Sequence, residues 1–249
     1  MKAIFFLHYR AGSSIFQYYI GNTPRLLATK LQSVVKTDIT FPINQPVKTI
    51  HTDIGSISNV VNHSTGNYII CGHMGNWWGN KPADEVPDAF DGNSPMRWGP
   101  PEIKQLIPKH KIITIVRNSK DQLLSFYHLK GGIEEQLRKT NHVDYWIALC
   151  KGWRNQIQVA QANQNTFPNH YKIMKYEDLV SDPIKFFEKL IDFIDDKQTL
   201  NKTILEERID TGAIFKQYHS SKSKEIENWQ SIILNKYTKP EMETLYSQV

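Results

Sequence analysis

Cysteine is scarce: the 249 residues hold two, Cys71 and Cys150, each inside an apolar run and neither in a CxxC pair. That scarcity excludes a disulfide framework and a thiolate zinc site, and predicts buried free thiols in a reducing, cytoplasmic compartment. Long apolar runs are missing too. No stretch approaches the ~20 residues of a membrane span, and the apolar run that opens at Lys2 and ends at Leu7 is too short for the hydrophobic region of a signal peptide. Repeats, low-complexity tracts and interdomain linkers are lacking, so a single domain over residues 1–249 is expected. Charge of one sign is in small excess only, 30 Lys+Arg against 25 Asp+Glu. A net +5 and an isoelectric point near 9.0 suit an anionic ligand. No basic run of nucleic-acid type accompanies them, and neither nucleic acid nor membrane is expected as a partner. The cationic stretches Arg25 to Lys36 and Lys222 to Lys239 space their lysines and arginines among neutral and, in the second, acidic residues, as a solvated helix face does.

What is present is an alternation of strands and helices. The run Lys2 to His8 is short and nearly continuously apolar, the pattern of a buried parallel strand, and it ends in a turn at Gly12. Asn67 to Gly72, Lys111 to Val116 and His170 to Met174 read the same way. Helices are predicted over Ser14 to Leu31 with a break near Pro24, over Lys120 to Leu129, and over Pro183 to Ile194. The last puts Phe186, Phe187, Leu190, Ile191 and Ile194 on one face. Strands followed by helices predict an α/β fold, a three-layer parallel sheet with helices on both faces. Such sheets bind ligands at the carboxyl ends of their strands. Residues 75–101 break the rhythm: Trp77, Trp78 and Trp98 stand among prolines and glycines with no clean period, a long aromatic-rich loop insertion.

Chemistry starts where the first strand ends. From His8 to Ser14 a strand, a glycine turn and a helix start would gather backbone N–H groups around one point, with Arg10, Ser13 and Ser14 as further donors, a P-loop-like phosphate cradle. Taken alone, the serines are equally N-caps and Gly12 a turn residue. The kinase loop GxxxxGK[ST] is absent, which counts against ATP-dependent phosphoryl transfer. A second constellation has Arg117 just past a strand and Ser125 eight residues on, two helical turns into the next helix. Both suit one anion; alone, the pair reads better as an arginine partnered with Asp121 and a serine tolerated in a helix.

Together these segments resemble the PAPS-dependent sulfotransferases, which take a sulfuryl group from 3′-phosphoadenosine 5′-phosphosulfate and release adenosine 3′,5′-bisphosphate (PAP). The family's first loop reads approximately Pro-Lys-Ser-Gly-Thr-Thr, and Tyr9 to Ser14 is similar, with Arg10 where the family has Lys. Its 3′-phosphate segment reads approximately Arg-Asn-Pro-Lys-Asp with a later Ser, the spacing of Arg117 to Asp121 and Ser125. Lys175 to Pro183 resembles its Tyr-Glu-Asp segment with a following Asp-Pro. The C-terminal Arg-Lys-Gly-x-x-Gly-x-Trp loop is matched in part: anchored on Trp229, it puts Lys222 at the Arg and Lys224 and Glu227 where the glycines would be. The resemblance implies donor contacts from Arg10, Ala11, Gly12, Ser13, Ser14, Arg117 and Ser125, and from Lys222 and Lys224 by side-chain charge; Tyr176 or Phe215 would meet the adenine, though each reads equally as core.

The resemblance also implies a base. Many sulfotransferases carry a His at the end of the second of these strands, here His73 in Gly72-His73; His8, His51, His63, Asp84 and Glu85 are the alternatives. Arg10 would stabilise charge on the bridging oxygen as the acceptor attacks in line, with no metal required. His8, Trp77, Trp78 and Trp98 are expected on the acceptor side, residues 75–101 serving as a lid. A small-molecule hydroxyl or amine is the expected acceptor, with carbohydrate the alternative. A P-loop kinase and a nucleotide-binding module without catalysis are the competing classes, and the oligomeric state is left open.

Overall fold

The computed structural model describes residues 2–8, 11–20, 35–37, 41–43, 47–53, 57–74, 82–88, 99–128, 132–195, 197–210 and 225–246. The chain divides into two compact units: Met1–Gly75 with Ile107–Val116 and Asn169–Lys222, and Asn76–Leu106 with Arg117–Pro168 and Ser223–Val249.

The first unit holds the sheet. Its strands are β1 (Lys2–His8), β2 (Val35–Thr37), β3 (Lys48–Asp53), β4 (Tyr68–Met74), β5 (Lys111–Val116) and β6 (Tyr171–Lys175), arranged in the order β2-β3-β4-β1-β5-β6. All neighbours run parallel except β2, which pairs antiparallel with β3 at the edge. β2 and β3 are not among the strands the pattern predicts. β2 has three residues, and β3 reads Lys-Thr-Ile-His-Thr-Asp, with one large apolar residue, Ile50, so neither carries the apolar run that marks a strand buried on both faces.

Side-chain alternation explains the packing. Ala3, Phe5 and Leu7 of β1, Ile69 and Cys71 of β4, and Ile113 and Ile115 of β5 form one buried face. Against it lie α1 (Ser13–Tyr19) and α8 (Pro183–Ile194), through Phe16, Tyr19, Phe186, Phe187, Leu190, Ile191 and Ile194. The Phe5 and Phe16 rings are 4.9 Å apart, and Phe16 stacks on Phe187 at 5.9 Å. Full burial of each such side chain is worth about 1.5–3 kcal/mol. The opposite face, with Ile4, Phe6, Ile70 and Ile112, is buried as well. There, Gly72 lacks the Cβ that would collide with Ile57 of α2 (Ile57–His63).

The Asp-Pro signature ahead of α8 has a local cause: the Asp182 carboxylate accepts from the Lys185 N–H at 3.0 Å, and Pro183 occupies the first turn, where no N–H is needed. α7 (Tyr176–Ser181) precedes it, and a further helix, α9, covers 202–210. Cys71 and Cys150 are free and buried, and burial pushes both thiols well up from their ordinary range.

The second unit is helical in its described residues: α3 (Pro100–Leu106), α4 (Ser119–Tyr127), α5 (Gly132–Thr140), α6 (His142–Thr166) and α10 (Asn228–Tyr246). α3, α5 and α6 are not among the predicted elements, and of α10 only a helix face over Lys222 to Lys239 is. α6 buries Asn155 and Asn163 alongside Trp146 and Trp153, which dilutes the apolar stripe a sequence reading relies on. The expectation of a merely solvated helix face over Lys222 to Lys239 needs correction. Lys236 and Lys239 are exposed, but the other side of α10 buries Gln230, Leu234, Thr238 and Glu241. Glu241 accepts from Arg154 at 3.2 Å and from Gln158 at 2.7 Å, both on α6. A carboxylate so placed resembles a surface charge in sequence and is compensated inside.

Candidate functional site

The strand order sets the ligand edge of the sheet. β1 lies between β4 and β5: the chain places β2, β3 and β4 on one side of it and then β5 and β6 on the other, so the order switches sides at β1, whose carboxyl end is where a parallel sheet takes its ligand. The loop that leaves β1 there is tight: the Ala11 N–H donates to the His8 carbonyl at 3.1 Å, and the Phe16 N–H to the Gly12 carbonyl at 3.0 Å. Gly12 has φ 87 and ψ 16, the left-handed region that glycine enters without strain, and it caps α1 with no side-chain cap bond. Ala11 is 1% exposed.

Tyr176 opens α7 and packs its ring against Gly12; a Cβ built at residue 12 would overlap Cδ2 and Cε2 of the ring. The phenol of Tyr19, 0% exposed, is pushed up to about 12 by burial, with Tyr176 and Tyr18 adding to the shift. The ring borders the glycine turn and packs against the core cluster to which Tyr19 belongs.

His73 is the penultimate residue of β4 and pairs in register with Leu7 of β1 and Asp53 of β3. The strand runs two residues beyond the predicted end at Gly72, and His73 stands at its carboxyl edge. His8, one residue past Leu7, is 5% exposed, and its Nδ1 has no hydrogen-bond partner among the described residues. Desolvation lowers its pKa from 6.5 to about 4, so the imidazole is neutral at pH 7. A folded-state value below the unfolded one means that the neutral form's stabilisation is fully present above pH 6.5 and is lost as pH falls toward 4. The loss should reach about 3 kcal/mol, at 1.36 kcal/mol for each unit. Urea unfolding at pH 7 and at pH 4.5 should show a fall that is markedly smaller in His8→Leu; equal falls in the two proteins would disprove it.

Of the alternative bases, His63 is exposed and its Nδ1 bonds the Asn59 carbonyl of its own helix at 2.8 Å. Asp84 and Glu85 are exposed in a short 3-10 turn of the second unit. That turn is fastened to α6. The Ala83 N–H donates to Asp144 at 3.1 Å, Lys151 donates to the carbonyl of Ala83 at 2.9 Å and pairs with Asp88 at 2.8 Å, and Asn155 donates to the carbonyl of Pro87 at 2.7 Å.

In the second unit Arg117 directly follows β5, and its carbonyl accepts from the Trp153 indole N–H at 3.2 Å. Asn118 caps α4: its side chain accepts from the Asp121 N–H and donates to the Asp121 carboxylate, both at 2.9 Å. Ser119 is buried against Thr238 at 3.1 Å, and Ser125 is half-buried two turns along α4. The Arg-Asn-x-x-Asp pattern therefore mixes two functions. Asn118 and Asp121 start the helix, and the cap fixes the backbone from which Arg117 departs. Trp153 escaped the sequence reading; its spacing of seven from Trp146 on one helical face is the signal that marks it. Trp229, the anchor of the C-terminal match, donates to Glu227 at 2.6 Å and packs on His142 and Tyr127, with ring centroids at 5.4 and 6.4 Å.

Tyr9, Arg10, Trp77, Trp78, Trp98, Phe215, Lys222 and Lys224 lie outside the described residues, as do the side chains of Ser13, Ser14, His51 and His73. No cluster of metal-ligating side chains occurs among the described residues, and no helix among them is long and apolar enough to cross a membrane.

A parallel α/β sheet with a left-handed glycine turn leaving its central strand belongs to the broad class of folds that hold anionic ligands at the strand ends. A profile described as the Sulfotransferase family matches residues 59–197, more than half of the chain, and the chain belongs to that family. Among solved structures, a mouse sulfotransferase complexed with PAP is similar at 14% identity, with 97% of this chain and 84% of that one covered and a TM-score of 0.48. A sulfotransferase from Alicyclobacillus acidocaldarius is similar at 12% identity, with 100% and 97% covered and a TM-score of 0.48. A comparison with curated proteins returned no match.

Proposed function

We propose that the chain moves a sulfuryl group from 3′-phosphoadenosine 5′-phosphosulfate to a hydroxyl or amine of a small-molecule acceptor. The observation that carries this reading is the glycine turn: in a member of the sulfotransferase family, Gly12 leaves the central strand at positive φ within the segment that resembles the family's donor loop. The residues fit the donor. A tight turn between a strand end and a helix start gathers backbone N–H groups for phosphate oxygens, and Arg10 supplies the charge. Arg10 to Ser14 hold the 5′-phosphate, and Arg117, Ser125, Lys222 and Lys224 the 3′-phosphate. The acceptor oxygen or nitrogen attacks sulfur in line as the bond to the bridging oxygen breaks; the electron pair stays on PAP, where Arg10 stabilises it. His73 takes the acceptor's proton. His8, buried and neutral with a pKa near 4, is a poor base at pH 7, which favours His73. His8 also offers little surface to a substrate, so Trp77, Trp78 and Trp98 carry the acceptor contacts, a carbohydrate being the second candidate for stacking on them. The reading invokes no metal, and two buried free thiols favour a cytoplasmic setting.

Calorimetric titration tests the donor. PAP should bind far more tightly than either adenosine 5′-phosphate or ATP, and equal affinities would defeat the reading. Arg117→Ala should remove most of the preference over adenosine 5′-phosphate, about 10- to 150-fold, because a charge-assisted hydrogen bond is worth about 1.5–3 kcal/mol.

A further inference from the structure

We propose that Tyr176 is a positioning residue for the glycine turn, its ring occupying the space beside Gly12 that any other residue would fill with a Cβ and so holding the loop in one shape. Gly12 is demanded twice over, by causes that are independent. Its φ of 87 strains any residue with a Cβ, and the ring excludes that atom even where the strain is tolerated. The ring itself has little room to retreat. Tyr176 is half-buried and packs against the core cluster that α1 and α8 share, and Leu179, one turn later in α7, is 0% exposed. That cluster includes Tyr19, at the far end of the helix that the loop begins. The turn is thereby gripped from outside its own segment by the first residue after β6. Loops without such a grip drift among conformers, and each misplaced donor reduces ligand affinity.

The functional consequence rests on the donor reading above, and the contact with Gly12 separates this role from adenine recognition. A ring that acts through the loop supports every ligand that uses the loop, whether or not the ligand has a base. A ring that stacks on adenine supports only ligands that carry one.

The experiment titrates the full chain, as wild type, Tyr176→Phe and Tyr176→Ala, with PAP and with ribose 3,5-bisphosphate, which lacks adenine. Tyr176→Ala should weaken both ligands by the same factor, about tenfold, and Tyr176→Phe should stay within about twofold of wild type. A loss confined to PAP would overturn the proposal and return the ring to the adenine. Thermal melts supply a readout that needs no ligand. Gly12→Ala should lower Tm by roughly 5–10 °C in the wild-type background and by about half as much beside Tyr176→Ala, where only the backbone strain remains. Additive shifts would overturn the grip itself. Should Tyr176→Ala not fold, Tyr176→Leu takes its place in both measurements. If the wild type binds neither ligand, the donor reading falls, and the melts alone decide whether Tyr176 grips the turn.

Discussion

His73→Ala is expected to lower turnover by about 10²–10⁴ while PAP binds nearly as it does to the wild type, because a positioned base acts on the acceptor's proton and not on the donor's phosphates. The expectation joins two observations: a Gly-His pair like that of the family, and a place at the carboxyl edge of β4, in register with the residue that precedes His8 in β1. The loss should depend on the acceptor. An alcohol, a weak nucleophile until its proton is taken, should show the full effect; an acidic phenol, which gives up its proton readily, and an amine, which attacks through its lone pair and loses its proton afterwards, should show much less. Folded His73→Ala with unchanged turnover on an alcohol would rule the assignment out. Attention would then pass to Asp84 and Glu85, which stand exposed on a turn fastened to α6.

Arg10→Ala should cost about as much, by a different route. If Arg10 meets charge that appears on the bridging oxygen only as the sulfuryl group leaves, its removal lowers kcat far more than it weakens donor binding, by about 10²–10³. Arg10→Lys should recover much of the rate, since the family carries lysine at the matching position and a point charge suffices for one developing oxyanion. Steady-state kinetics with the donor varied separates the cases. An Arg10→Ala enzyme with full kcat and only a raised donor KM would show that the residue binds the ground state and no more.

The parts of the fold that were legible carry a local apolar pattern. β1, β4 and β5 appear as short apolar runs because a central parallel strand exposes neither face, β6 shows a weaker run at the sheet edge with Tyr171 and Met174 buried, and α8 appears because its five large apolar residues fall on one stripe. Elements with mixed surroundings were not legible. β2 and β3 lie toward the sheet edge with short or polar sequences, and α6 and α10 bury asparagine, glutamine and glutamate whose partners are remote in sequence. Glu241 is compensated by Arg154 and Gln158, and no local pattern announces a pairing across more than eighty positions.

The candidate site divides the same way. Spacing and residue type by themselves determined the glycine turn after the first strand, the helix start after Arg117, the Asp-Pro start of α8 and the likeness to a sulfuryl-transferring family, because each is written in a few consecutive residues whose backbone demands are local. Tertiary structure alone decided which of those residues support and which face outward. Asn118 and Asp121 turn out to satisfy the α4 terminus, Trp153 to hold the Arg117 carbonyl, and His8 to be buried and neutral. It also brought Tyr176 onto Gly12. That contact joins the loop after β1 to the helix after β6, and only the packing of the sheet and its helices around one core sets such a distance.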